Sequence, residues 1–246
     1  MRTMLLLVVL LAAALYPVAA QEIRLDGATT TIDRVITPYK AAVEKATGFK
    51  LVVVGNNTGR GLVDLVEKKC DASLASEPIE IAVAAAKAAG TVVDPAKLKM
   101  SVVKYDEIVF IVHKSNPVKK LTWQQIKDIH TGKIANWKDV GGKNAPITVY
   151  SDAPTGGTRA MIKSIVLEGQ EYGPAVQAQS AVKKVNEMVA NDENGFGGLG
   201  LGFVDTDLVT IVETKKIERP LGFLTFGEPT GNVAKVIKAF QDAAKK

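Results

Sequence analysis

The sequence predicts an α/β fold with parallel sheets. Segments with the composition of strands alternate with segments that have helical periodicity along most of the chain. Three loops rich in Thr, Asn and Gly each follow a predicted strand and precede a predicted helix. Because ligands of open α/β sheets bind at the carboxyl ends of the strands, these loops mark the candidate site.

The first half of the chain begins with a short predicted strand at Glu22–Leu25. Apolar residues recur at helical spacing from Ile32 to Val43, and Gly48 is suited to the left-handed end of that helix. The valine-rich run Phe49–Val54 predicts a strand buried on both faces. The next predicted elements are a helix that begins near Leu62, a strand over 71–76 and a helix over 81–89.

The second half opens with a long predicted strand over 100–113. Thr122 and Gln125 have the spacing of a capping box, which predicts a helix start. Ile147–Tyr150 predicts a strand that leads into the third loop. A helix over 181–190, a glycine-rich strand after Gly195 and a final helix with an apolar stripe at Val233, Val236, Ile237 and Phe240 complete the prediction.

Residues 1–20 have the layout of a cleavable secretory signal. Arg2 is followed by an apolar run over 4–15 and by the small residues Ala19 and Ala20. A retained anchor is the alternative, but the run is shorter than the ~20 residues of a membrane span. We therefore expect cleavage near Ala20 and a soluble protein that is periplasmic or secreted.

The bulk composition excludes several classes of function. Hydrophobic residues make up 47% of the chain, which indicates a folded core. The net charge of +5 is mild and no aromatic-rich basic stripe is present, so we do not expect nucleic acid as a partner. One cysteine, Cys70, rules out an intramolecular disulfide, and two separated histidines argue against a metal site. No cofactor and no nucleophile motif are predicted, so we do not expect an enzyme. We also expect the protein to be a monomer.

The three loops have chemistry in common. They are Ala28-Thr29-Thr30, Asn57-Thr58-Gly59 and Gly156-Gly157-Thr158. Each offers free backbone N–H groups at a helix start, where the helix dipole is positive, and each adds a hydroxyl. A single loop of this kind is equally well explained as an ordinary helix cap. Three that converge favour a small oxyanion as the ligand.

The chain resembles the phosphate-type solute-binding proteins that serve ABC transporters. The resemblance extends from the first strand to about Phe203, and its most specific part lies in the middle of the chain. The matching motifs are Gly27-Ala28-Thr29-Thr30, Asn57-Thr58-Gly59-Arg60-Gly61, Asn116-Pro117, Leu121-Thr122, Gly132-Lys133-Ile134, Asn136-Trp137 and Val140-Gly141-Gly142.

The resemblance implies a type II-like periplasmic binding protein fold, in which two α/β lobes close on a small solute. Each lobe would contain a mixed, mainly parallel sheet flanked by helices. Lobe 1 would comprise 21–104 plus 205–246, and lobe 2 would comprise 105–204. The resemblance also implies an inner-membrane ABC permease as partner and phosphate as solute. The predicted ligand-binding residues are Ala28, Thr29, Thr30, Asn57, Thr58, Ser76, Asp152, Gly156, Gly157, Thr158 and Arg159.

Two charged positions depart from the family pattern. In the third loop the anion-pairing Arg of the family falls on Asp152, and a Ser falls on Gly156. The carboxylate that accepts the proton of hydrogen phosphate falls on Ser76, with Glu77 beside it. An acid in place of the Arg would repel a dehydrated oxyanion instead of attracting it.

Three explanations of Asp152 remain open at this point. Arg159 or Arg60 supplies the missing positive charge, or Asp152 points outward, or the solute is larger, neutral or amine-bearing and Asp152 is its counter-ion. A rival in another class is a secreted sensor or scaffold protein that has the same fold and no transported phosphate.

Overall fold

The computed structural model of the protein describes residues 21–154 and 156–245. The predicted signal over 1–20 lies outside the described residues. Among the helices that are described, none combines the length and the apolar character needed to cross a bilayer.

Within residues 21–154 and 156–245, strands and helices alternate as the sequence predicts. The strands are β1 (Glu22–Ala28), β2 (Lys50–Asn56), β3 (Ala72–Ala75), β4 (Leu98–His113), β5 (Thr148–Ser151), β6 (Gln177–Ala178), β7 (Gly195–Gly200), β8 (Val209–Ile211) and β9 (Ile217–Phe226). The helices are α1 (Thr29–Thr31), α2 (Thr37–Thr47), α3 (Thr58–Val66), α4 (Ile79–Ala88), α5 (Trp123–Thr131), α6 (Gly157–Ile165), α7 (Lys184–Ala190) and α8 (Gly231–Ala243). A π-helical turn, Ile32–Ile36, joins α1 to α2.

The strands form a mixed sheet in the order β2-β1-β3-β9-β4-β7-β5-β6, and β8 pairs with β4. The parallel pairs lie towards the two ends: β1 with β2 and β3, and β5 with β6 and β7. The antiparallel pair of β4 and β9 joins these ends. The predicted α/β class is therefore confirmed.

Strand β4 links the two halves of the sheet. It has 16 residues, and its register with β9 shifts between Val102 and Lys104. Its last residues pair with β8 from Ile111 to His113, beside β7. This pairing favours a boundary after β8, so that 205–216 would belong with lobe 2 and not with lobe 1. The division into lobes stays a prediction.

Apolar side chains pack on both halves of the sheet. One cluster includes Leu25, Phe223 and Phe240, and it contains the predicted stripe of α8. A second cluster contains Phe110 and Phe196, which stack with ring centroids 5.9 Å apart. Each half therefore has its own core, and the loops at the strand ends lie where the two halves meet.

Local signals placed the element ends well, with one exception. Gly48 has a φ of 74° at the end of α2, and Thr122 and Gln125 form the predicted capping box. The prediction that β2 is buried on both faces is wrong. β2 is the edge strand, and its Val52 to Val54 are half-buried, because valine-rich composition does not distinguish an edge strand from a central one.

Candidate functional site

Helix starts from both halves of the sheet meet at one place. At the start of α3, the Thr58 hydroxyl oxygen accepts a hydrogen bond from the Ser76 backbone N–H at 3.4 Å. A Cβ built on Gly157, the first residue of α6, would lie 2.8 Å from the Ser76 hydroxyl oxygen. Two of the three predicted loops and the end of β3 are therefore in direct contact.

Glu77 places a carboxylate at the centre of this meeting point. Its Oε2 accepts hydrogen bonds from the Ser76 hydroxyl at 2.7 Å and from the Ser76 backbone N–H at 3.1 Å. The Thr58 hydroxyl lies near the same carboxylate and acts to lower its pKa. Glu77 is 1% exposed, and this burial raises the pKa of its carboxyl.

Asp152 lies across from Glu77, at the end of β5. It is 7% exposed, and its Oδ1 accepts a hydrogen bond from the Ala153 backbone N–H at 2.8 Å. The Thr158 backbone N–H lies near the same carboxylate and acts to lower its pKa. Burial raises the pKa of the Asp152 carboxyl to about 6, and the neighbouring charge of Glu77 acts in the same direction. Asp152 points inward, so the second of the three explanations is wrong.

Arg219 is the cation that faces these two carboxylates. It lies on β9, is fully buried, and donates from Nη1 to the Thr158 hydroxyl oxygen at 2.8 Å. Its Nε and Nη2 donate to Asp106 Oδ2 at 3.1 and 2.7 Å. Asp106 and Arg219 are direct partners in the pairing of β4 with β9. The Arg219 charge is therefore already matched by one carboxylate before Asp152 and Glu77 are considered.

Two glycines make room for the carboxylates. A Cβ at Gly156 would lie 2.7 Å from Asp152 Oδ1 and nearer still to Oδ2. A Cβ at Gly157 would lie 3.0 Å from the Glu77 carboxylate carbon and would overlap its Oε2. Since real Cβ atoms do not approach oxygen so closely, side chains at 156 and 157 would displace both carboxylates.

The two arginines proposed as replacements for the family Arg are engaged elsewhere. Arg60 pairs with Asp64 at 2.8 Å. Arg159 donates to the Ser151 hydroxyl and lies with its guanidinium carbon 3.9 Å from the centre of the Tyr172 ring. In this structure the cation that faces Asp152 is therefore Arg219, and neither Arg60 nor Arg159.

The remaining predicted residues are placed less centrally. Asn57 caps α3 by accepting the Arg60 backbone N–H at 2.9 Å, which is an ordinary structural role. Thr29 is exposed, whereas Ala28 and Thr30 are buried at the end of β1. The adjacent Thr31 hydroxyl donates to the Ala75 carbonyl oxygen at 2.7 Å and so ties the first loop to the end of β3.

In the sequence, the position of the family's carboxylate falls on Ser76, with Glu77 beside it, and Arg219 was not predicted as a site residue. In the structure, the carboxylate at this place is that of Glu77, one residue after Ser76. Arg219 is a charged residue in a mostly apolar strand, Ile217–Phe226, and that contrast was the signal available. Asp106 interrupts the long predicted strand in the same way.

The described part of the chain contains no group of three or more His, Cys, Asp or Glu side chains arranged to hold a metal ion. Hydroxyls, backbone N–H groups, carboxylates and one arginine therefore make up the site. Such a set can bind a polar solute through hydrogen bonds and charge.

Comparison with known proteins places the chain in a family. A family model described as a PBP superfamily domain matches residues 18–245. The phosphate-binding protein PstS of Bacillus subtilis is 30% identical over 111 residues, which are 45% of this chain and 37% of that protein. PstS of Staphylococcus saprophyticus is 27% identical over 205 residues, which are 79% of this chain and 60% of that protein. The matches thus span less than two thirds of either relative.

Solved structures agree. A phosphate ABC transporter substrate-binding protein from Clostridium perfringens, described with bound phosphate, is 28% identical with a TM-score of 0.74, and the match covers 90% of this chain and 92% of that one. An ABC-type phosphate transport receptor from Vibrio cholerae, at 20% identity and a TM-score of 0.72, covers 91% and 95% and shares the fold. This chain therefore belongs to the PBP superfamily, and the relatives described above are phosphate-binding proteins to which it is similar.

Proposed function

We propose that the chain is an exported receptor that captures a small solute between two lobes and delivers it to an ABC permease. Membership of a family of solute-binding proteins supports the general role. The approach of Thr58 and Gly157, at helix starts from the two halves of the sheet, to Ser76 at the end of β3 supports the position of the site.

The observation that carries the choice of solute is the burial of Asp152 beside a cation that is already paired. Because Arg219 is held by Asp106, the ionised carboxylate of Asp152 adds negative charge without a matching cation of its own, and the Glu77 carboxyl beside it adds acceptor oxygens. Such a surface accepts hydrogen bonds and attracts positive charge. The solute is accordingly amine-bearing or rich in hydrogen-bond donors, in contrast to the phosphate named for the relatives.

Capture would couple to closure through contacts on both sides. Glu77 and Thr58 lie on one side of the cleft, and Asp152 and Thr158 lie on the other. A solute that binds both sides has its best contacts in the closed state and shifts the open-closed equilibrium towards it. The closed form is the one that a permease would distinguish from the empty receptor.

Calorimetry on the chain from Gln21 tests this function. The protein is unfolded and refolded to remove any carried solute, and is then titrated with phosphate, sulfate, ethanolamine, putrescine and guanidine at about pH 8, where Asp152 is ionised. Binding of an amine probe with no heat from phosphate is the expected result. Tight phosphate binding would contradict the proposed solute class but not the receptor role.

A further inference from the structure

We propose that the carboxylates of Glu77 and Asp152 occupy the places of an oxyanion in the cleft, so that the chain carries its own anion and excludes phosphate and sulfate dianions. The inference rests on the proposed function in one respect, since it concerns the same cleft. It goes further by assigning the exclusion to two named side chains.

The first step is that Glu77 uses the donors of its own loop. The Ser76 hydroxyl and the Ser76 backbone N–H both donate to Oε2, at 2.7 and 3.1 Å. The Thr58 hydroxyl, from the second predicted loop, accepts the Ser76 backbone N–H at 3.4 Å and lies near the same carboxylate. These are the kinds of donor that hold an oxyanion at helix starts, and here a tethered carboxylate holds them.

Asp152 does the same at the third loop. Its carboxylate accepts the Ala153 backbone N–H at 2.8 Å, and the Thr158 backbone N–H at the start of α6 lies near it and favours its ionised form. The Thr158 hydroxyl oxygen is in turn engaged by Arg219 at 2.8 Å. An incoming anion would have to displace protein contacts at each of these donors.

Two glycines leave the space in which the Asp152 and Glu77 carboxylates lie. Gly156 and Gly157 leave space for Asp152 and Glu77, since a Cβ at either position would lie within 3.0 Å of carboxylate atoms. Glu77 is 1% exposed and Asp152 is 7% exposed, so neither side chain extends into solvent. Their place at the helix starts is thus fixed by packing and by hydrogen bonds together.

Electrostatics add to the exclusion. Above about pH 6 a dianion would meet the ionised Asp152 carboxylate at short range in a buried site, beside the oxygens of Glu77, and repulsion there is much stronger than in water. The other charged or titratable groups near the pair are Arg219 of β9, Asp106 of β4, Arg159 of α6 and Tyr172. Arg219 is bound to Asp106, and Arg159 is turned to Ser151 and the Tyr172 ring.

The test compares the native chain with the double variant Glu77→Gln, Asp152→Asn at about pH 8. Both substitutions keep the size of the side chains and an acceptor oxygen while they remove the charges. Calorimetric titration with sulfate and with phosphate should show weak binding to the native chain and an affinity at least roughly 100-fold higher for the double variant. Double-variant affinity equal to that of the native chain would overturn the proposal.

A matched control is the double variant Glu80→Gln, Asp139→Asn. Glu80 and Asp139 are exposed acids in the first turns of α4 and of a short 3-10 turn, Trp137–Val140. The control removes the same number of negative charges away from the cleft. A gain in sulfate affinity as large in the control as in the test variant would show that net charge is responsible, and would overturn the assignment to Glu77 and Asp152.

A second measurement uses the native chain alone, in case the variants do not fold. Sulfate keeps both charges between about pH 8 and about pH 5, whereas the protonated fraction of Asp152, whose pKa is raised to about 6, increases roughly 100-fold over that range. Sulfate affinity should therefore increase at least tenfold, by a rough estimate, towards the acid end. Constant sulfate affinity across the range would contradict the proposal.

The two proposals fail in different ways. If no amine probe binds the native chain but the double variant gains sulfate, the internal anion stands and the proposed solute class does not. If an amine probe binds the native chain and the double variant loses it without any gain of sulfate, the solute class stands and the internal anion is overturned.

Discussion

At the scale of single residues, Asp152 illustrates how burial changes the chemistry of a common side chain. In an exposed loop it would be an ionised acid of little consequence. Here it is 7% exposed and faces Glu77, so its ionised form is disfavoured. Asp152 departs most from the family pattern, and its ionisation also lowers the free energy of unfolding near neutral pH.

This cost predicts a pH dependence of stability. Since folding raises the pKa of Asp152 from 3.8 to about 6, its contribution is most favourable below 3.8 and is lost as the pH rises through about 6. The linked change in the free energy of unfolding is about 3 kcal/mol. Urea denaturation should show that Asp152→Asn stabilises the protein by up to about 3 kcal/mol at neutral pH and has little effect near pH 4. An equal effect at both pH values would contradict this origin.

Gly157 gives a second prediction at this scale. Gly157→Ala would place a Cβ against the Glu77 carboxylate and should destabilise the protein by about 1–3 kcal/mol. In a Glu77→Ala background the same substitution should cost much less, because the overlapping oxygen is absent. Urea denaturation of the four variants forms a double-mutant cycle, and simple additivity would show that the carboxylate is not what Gly157 accommodates.

At the scale of elements, β4 and β9 are joined by a buried ion pair. Arg219→Met would leave Asp106 buried without its cation and would remove a donor from Thr158. We expect a loss of about 3–5 kcal/mol in the free energy of unfolding. The double variant Arg219→Met, Asp106→Leu should lose less than the single one, measured by the same denaturation. If the double variant loses more stability than Arg219→Met, the unpaired charge of Asp106 is not the reason why the single variant is destabilised.

The start of α5 offers an independent test of a local signal. Thr122 accepts the Gln125 backbone N–H at 3.2 Å, and the Gln125 side chain accepts the Thr122 backbone N–H at 2.8 Å. Thr122→Ala should cost about 1 kcal/mol of stability, whereas Thr122→Ser should cost little because the hydroxyl remains. Equal losses in both variants, by urea denaturation, would mean that the methyl group of Thr122 matters more than its cap.

Elements were predictable from the sequence where local chemistry decides them. The capping box of α5, Gly48 after α2 and the stripe of α8 each depend on residues within a few positions of one another. The edge position of β2 was not predictable, because it depends on strand order, which no local pattern encodes. Arg219 was not predictable for the same reason, because its partner Asp106 lies 113 positions away in the sequence.

At the scale of the whole molecule, the site is assembled from distant segments. Sequence patterns identified the loops separately, since each is a helix start with its own signature. Which loop residue faces which could not be derived from them. Glu77 and Gly157, for example, come together only when both halves of the sheet are in place.

Closure on a solute predicts a measurable change of shape. If a solute contacts both Glu77 and Asp152, small-angle scattering should show a smaller radius of gyration at saturation than in the refolded, solute-free protein. The variant Asp152→Asn should show a weaker contraction at the same concentration of an amine probe. A solute that binds with heat but leaves the radius unchanged would mean that it contacts one side of the cleft.

The space left by Gly156 has a further consequence for how this loop diverged. The family has Ser at this position and Arg at the place of Asp152, and a Cβ at 156 would collide with the Asp152 carboxylate. The two departures are thus coupled in this chain, because a side chain at 156 and the present position of the Asp152 carboxylate are sterically incompatible. An inward-facing acid at 152 is accessible to the loop only together with glycine at 156.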